Sequence, residues 1–181
     1  PLLAWRSPIY ITAGFAGILA LALLLVQPLL AGGYLPGLSA ERARRWHRLV
    51  GGGLVLAVAC HVGGLWITSP PDVLDALLFR APTLFSVWGV LAMWTMVAAA
   101  LVAIFHRKMR LRPRTWRLLH TSLAALTVVG TIAHVVPIQG TMETITKVAL
   151  CAIIALVTLK TMVDARVWFF RLRLPWFPER R

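Results

Sequence analysis

The chain has 181 residues, 59% of them hydrophobic, with a mean hydropathy of +0.79 and a net charge of +13. Ordinary soluble domains hold roughly 45–50% apolar residues, so this composition excludes a soluble enzyme and reads as a single integral membrane domain over residues 1–181. The basic excess does not indicate a nucleic-acid partner: a DNA-binding face needs its basic residues on a soluble scaffold, and here they stand between apolar runs.

In chain order, residues 8–31 form a first apolar span, since about 20 such residues cross a bilayer. The run is too long for a signal-peptide core. Gln27-Pro28 predicts a kink or a stop near its end, because proline removes a backbone donor. Gly32-Gly33 and Pro36-Gly37 mark the loop that follows. A second span covers residues 44–66 and ends at Thr68-Ser69-Pro70-Pro71-Asp72. Residues 73–79 read as a short interfacial helix. A third span covers 83–105, with Trp88 and Trp94 among aliphatics. Residues 106–114 read as a tight basic turn containing Pro113. A fourth span, 115–136, stops at Pro137, and a fifth covers 145–168 before the basic-aromatic tail from Arg171 to Phe177. The expected fold is therefore all-α, a polytopic membrane helical bundle of about five transmembrane helices.

Cys60 and Cys151 fall inside apolar runs and are read as small buried hydrophobes. There is no CxxCH sequence for covalent haem attachment, so any haem is held non-covalently. Arg42, Arg44, Arg45, Arg48, the cluster from Arg107 to Arg117 and Arg166 onward lie on one side of the spans, while Arg6, Arg80 and Lys147 lie on the other. By the positive-inside rule the basic side is cytoplasmic, with the N-terminus outside and the C-terminus cytoplasmic, in a bacterial inner membrane. Lys160, within the fifth span, is close enough to the basic end to snorkel.

Four histidines share one interval. His47 and His61 lie 14 residues apart on the second span, as do His120 and His134 on the fourth. Fourteen helical residues rise about 21 Å and return to within ~40° of the starting face, so each helix presents two imidazoles on one side, one near each membrane surface. The two helices cross in the same direction. His47 then stands level with His120, and His61 with His134. An imidazole from each of two helices supplies the axial positions of a six-coordinate haem, and polar groups inside lipid are costly enough that four in register are poorly explained by packing.

Gly51, Gly52, Gly53, Gly63, Gly64 and Gly130 lie beside these histidines, where a flat macrocycle needs close approach, although glycines also serve plain helix contact in membranes. Arg44 and Arg117 each sit three residues before a basic-side histidine, on the same face, where they could pair with haem propionates or act only as topology determinants. His106 reads as interfacial. No residue is assigned a catalytic role.

This arrangement resembles the ferric reductase-like transmembrane domain family, which includes eukaryotic ferric reductases, NADPH oxidases and the haem subunit of the bacterial methionine sulfoxide reductase system. The resemblance rests on the two histidine pairs and on the stretches Arg45-Trp46-His47 and Trp116-Arg117-Leu118-Leu119-His120, and covers roughly residues 42–136. It implies two b-type haems and transmembrane electron transfer. Family members commonly have six helices with ligands on the third and fifth, so the five-span reading with ligands on the second and fourth fits loss of a first helix. No G-x-G-x-x-G follows a predicted strand. The expectation is a haem b oxidoreductase subunit that needs an external electron donor and a separate acceptor, each a protein, flavin or quinol.

Two other readings stand beside it. A quinol-oxidising cytochrome b-like subunit would use similar histidine pairs with a quinone site, but no PEWY-like sequence is present. A non-catalytic structural subunit of a larger membrane complex would use its helices as scaffold. A metal transporter is disfavoured, since imidazoles 14 residues apart cannot converge on one ion.

Overall fold

A computed structural model describes residues 5–140 and 142–165. Within them lie six helices: α1 (Pro8–Ala31), α2 (Ala40–Thr68), α3 (Pro70–Leu77), α4 (Leu84–Phe105), α5 (Pro113–Val135) and α6 (Thr144–Asp164). All but the short α3 are long and apolar enough to cross a membrane. The architecture is an all-α polytopic bundle, as the composition predicts. The end of the fifth predicted span beyond Ala165, and the basic-aromatic tail, lie outside the described residues.

Local chemistry sets the helix starts. Ser7 caps α1 by accepting the Tyr10 amide at 3.2 Å, with Pro8 in the first turn, a position where proline's missing donor costs nothing. Ser39 caps α2 by accepting the Arg42 amide at 3.4 Å, with Glu41 in the first turn, so α2 begins four residues before the predicted span. Pro113 opens α5 instead of belonging to the turn before it. Pro28 stands inside α1, which continues to Ala31. Its carbonyl accepts the Gly32 amide at 2.8 Å and the Thr161 hydroxyl of α6 at 3.1 Å.

The Glu143 carboxylate caps α6, accepting the amides of Ile145 and Thr146 at 2.9 and 2.8 Å. The Thr146 amide above all, and that of Ile145, hold this carboxyl below the usual carboxylate range. A group depressed in this way favours folding above its unfolded pKa and loses that contribution as the pH falls through its folded value, so the cap weakens only in acid.

The five spans form two antiparallel hairpins bridged by α6. α1 packs along α2 and α4 along α5, while α6 packs on α1 and α5 and α3 links the hairpins at one end. By contrast, α2 and α5 pack chiefly on their own hairpin partners. A shared core of Leu21, Leu24, Leu54, Ala57, Met96, Val128, Cys151 and Ile154 lies where the hairpins meet α6. At the basic end, Tyr34 donates to Asp164 at 2.5 Å and Lys160 pairs with the same carboxylate at 2.6 Å, which ties the α1–α2 loop to the end of α6.

Two sequence readings are corrected by this packing. Cys151 is buried as expected, but Cys60 is exposed, because it sits one residue, about 100°, off the face that carries His61. Lys147, counted as a charge of the far surface, is buried in α6 and donates its Nζ to the Ile138 carbonyl. That bond folds the α5–α6 connection back over the lysine. Trp88 and Trp94 stand on the exposed face of α4.

Ile154 is fully enclosed, whereas Leu156, two residues on, is 66% exposed. Ile154→Ala should therefore cost about 2–4 kcal/mol through the cavity it leaves. Leu156→Ala should stay within about 0.5 kcal/mol. Thermal unfolding in detergent compares the two, and equal losses would contradict the core assignment.

Candidate functional site

The four histidines of the shared interval are all half-buried and all make the same bond. His47 and His61, on α2, direct Nδ1 at main-chain carbonyls of α1: Gln27 at 3.2 Å and Ala13 at 2.8 Å. His120 and His134, on α5, direct Nδ1 at carbonyls of α4: Ala99 at 3.1 Å and Phe85 at 2.8 Å. A carbonyl can only accept, so Nδ1 carries the proton and, in a neutral imidazole, Nε2 carries the free lone pair. Each hairpin thus fixes the tautomer and plane of two rings and turns their Nε2 edges away from its other helix.

Across the bundle one pair of rings meets: His47 and His120 are 6.2 Å apart between centroids, at 72° to one another. His61 and His134 lie 14 residues further along the same two helices, about 21 Å away. Within each hairpin the 14-residue interval is too long for one ion, and among the described residues no cluster of three or more metal-ligating side chains occurs.

The separation of His47 and His120 would admit a single metal atom between the two rings. An imidazole nitrogen bonds a first-row metal at about 2 Å, so two rings on opposite sides of one atom have centroids about 6 Å apart. The observed 6.2 Å fits that requirement for haem iron. The hydrogen bond from the opposite ring nitrogen to a carbonyl is also the usual support of a metal-ligating histidine.

Part of the chain matches a known family. The sequence profile of the ferric reductase like transmembrane component matches residues 16–131. The chain belongs to the ferric reductase-like transmembrane family. Membership places it among membrane domains of transmembrane electron-transfer, oxidoreductase type, which generally bind haem. Neither a curated protein nor a solved structure matches the chain. The family match includes His47, His61 and His120 and ends three residues before His134. The place of His134 in the set comes from its bond to Phe85 and its 14-residue interval from His120.

The remaining residues singled out in the sequence lie around these histidines. Arg44 and Arg117 stand exposed as the fifth residues of α2 and α5, about one turn before His47 and His120. Gly64 and Gly130 serve close helix approach inside the hairpins: a methyl at Gly64 would lie 2.7 Å from the Ala13 side chain, and one at Gly130 would lie 3.1 Å from Ala92. Gly52 and Gly63 face open space, while a methyl at Gly51 would lie 3.4 Å from Gln27 Nε2. His106 ends α4, donates Nδ1 to the Ala103 carbonyl at 2.8 Å and stacks on Trp116 at 4.7 Å. Trp116 in turn lies 5.6 Å from the His120 ring. This aromatic chain packs the basic-end pair from the side of the α4–α5 turn.

Gln27 contacts His47 twice, accepting from the ring through its main chain and donating its side-chain Nε2 to the His47 carbonyl at 3.3 Å. Gln27→Leu should lose only the second bond, about 0.5–1.5 kcal/mol, and leave His47 seated. Thermal unfolding measures this, and a loss above about 3 kcal/mol would show that the side chain itself holds the histidine.

Proposed function

We propose that the chain, as one domain, carries electrons across the membrane through two b-type haems, one between His47 and His120 and the other between His61 and His134. The observation that supports this reading is the bond common to all four histidines, Nδ1 to a carbonyl of the neighbouring helix. His106 also donates Nδ1 to a carbonyl, but within its own helix; the four paired histidines each reach across to the neighbouring helix. When bound, a haem supplies a one-electron carrier whose iron cycles between the ferric and ferrous states.

The chain's own residues do the rest. The two ligand helices hold their rings in fixed planes, so little reorganises around the iron. The neutral imidazoles add no charge to a low-dielectric interior, where charge is expensive. The core around Leu24, Leu54, Met96 and Val128 keeps water from the space between the two levels. Arg44 and Arg117, one turn nearer the basic end, are the residues proposed to meet carboxylates of the inner cofactor as charged donors.

Orientation follows from charge. The first turns of α2 and α5 and the α4–α5 connection concentrate basic residues at one end of the bundle, which is the cytoplasmic end under the positive-inside rule. His47 and His120 then form the inner pair and His61 and His134 the outer. A separate donor, protein, flavin or quinol, delivers electrons at the inner pair, and they leave at the outer pair to an acceptor such as ferric iron or a partner protein, in a bacterial inner membrane.

His61→Ala or His134→Ala should each remove one haem and leave the other. His47→Ala or His120→Ala should remove the complementary one, and His106→Ala neither. Haem content per polypeptide, with reduced-minus-oxidised spectra, measures this. A His134→Ala protein with both haems intact would contradict the pairing.

A further inference from the structure

The two hairpins repeat one another. Ala13, Gly17 and Gln27 of α1 stand 72 residues before Phe85, Gly89 and Ala99 of α4, and Arg44, His47 and His61 of α2 stand 73 before Arg117, His120 and His134 of α5. The buried positions follow the same register: Ala20 with Ala92, Leu24 with Met96, Leu54 with Thr127, Ala57 with Gly130. Corresponding helices run in the same direction, and His47 faces its own counterpart, His120, across the bundle. Self-facing contacts between like units are those of a two-fold axis, here along the membrane normal, as in parallel internal repeats of membrane proteins.

The repeat isolates a difference between the two levels. In an α-helix the carbonyl of residue i bonds the amide of residue i+4, so a ring that docks on that carbonyl from outside passes beside residue i+4. For the outer pair those residues are Gly17 and Gly89. A methyl at Gly89 would lie 2.7 Å from His134 Nδ1 and 2.9 Å from its Cε1, and one at Gly17 would lie 3.0 and 3.2 Å from the same atoms of His61. For the inner pair the matching residues are Ala31 and Ala103. The bonds differ accordingly: both outer histidines sit 2.8 Å from their carbonyls, against 3.2 and 3.1 Å for the inner ones.

From these observations we infer that Gly17 and Gly89 are equivalent positioning residues that seat His61 and His134 and set the outer centre apart from the inner one. The inference rests on the two-haem reading. A closer Nδ1–H···O=C bond makes an imidazole a stronger donor to its metal, which stabilises the ferric state and lowers the potential. Adding a methyl at Gly17 or Gly89 pushes the ring off its carbonyl and reverses that effect at the outer level alone.

Potentiometric titration of haem absorbance, with electron paramagnetic resonance of the low-spin centres, tests this in the full chain. Gly89→Ala should raise the outer centre's potential and shift its g-values, or empty that centre, while the inner centre keeps its wild-type values. Gly17→Ala should act in the same direction and more weakly. Ala103→Gly should lower the inner potential and leave the outer unchanged. Gly52→Ala, which adds a methyl facing open space, should change neither.

Wild-type g-values and potentials in both Gly89→Ala and Gly17→Ala would overturn the inference. So would loss of both centres in Gly89→Ala together with a wild-type Gly17→Ala. Wild-type protein without haem would instead overturn the functional reading. In that case the histidine ¹⁵N spectrum of the protein as isolated still decides the seating: His134 should carry its proton on Nδ1, with a shift in Gly89→Ala, and an unchanged spectrum would refute it.

Discussion

An imidazole inside a bilayer has two ring nitrogens and no water to satisfy them, and a polar group left unpaired there costs several kcal/mol. In this protein the requirement is met half by the chain. Each of the four histidines places Nδ1 on a carbonyl of the helix beside it. These bonds dictate that α1 lies against α2 and α4 against α5, antiparallel and in a register that matches 14 residues on one helix to 14 on the other. The bundle is thus two hairpins built to hold rings, with α6 closing the space between them.

The other half of the requirement supplies the function. The four Nε2 atoms lie on the sides of α2 and α5 turned away from their own hairpin partners. In the proposed reading, a haem between each pair would satisfy both nitrogens and link the hairpins at two depths. The basic-end pair is also backed by Trp116 and His106, whereas the far pair is seated by glycines. The two levels are therefore built from one repeated plan with different neighbours, by which two identical cofactors would acquire different properties in the proposed reading.

Much of this was legible in the residues. The spans are continuous apolar runs punctuated by Pro and Gly, and α1 has the predicted bounds because Ser7-Pro8 and Gly32-Gly33 mark both ends. The histidines stood out because titratable groups in apolar runs have few structural excuses, and charge bias put their helices in one direction. Their supports were not legible. Every residue offers a carbonyl, so nothing in the composition singles out Ala13, Gln27, Phe85 or Ala99 as acceptors. Gly17 and Gly89 were the available signal, but nothing in the apolar runs around them sets them apart from other glycines of membrane helices. Lys147 was taken for a surface charge because its partner, the Ile138 carbonyl, reaches it only once the α5–α6 connection has folded back. Cys60 was taken for a core residue because an apolar run does not reveal which side faces a neighbour.

The haem-to-polypeptide ratio of the purified wild-type protein, read with its electron paramagnetic resonance spectrum, bears most directly on the central claim. Two low-spin centres per chain, each with two histidine ligands, are expected from the paired imidazoles. A ratio of one, or a high-spin centre with a single histidine ligand, would contradict the pairing of α2 with α5, and a ratio of zero would contradict electron transfer through haem.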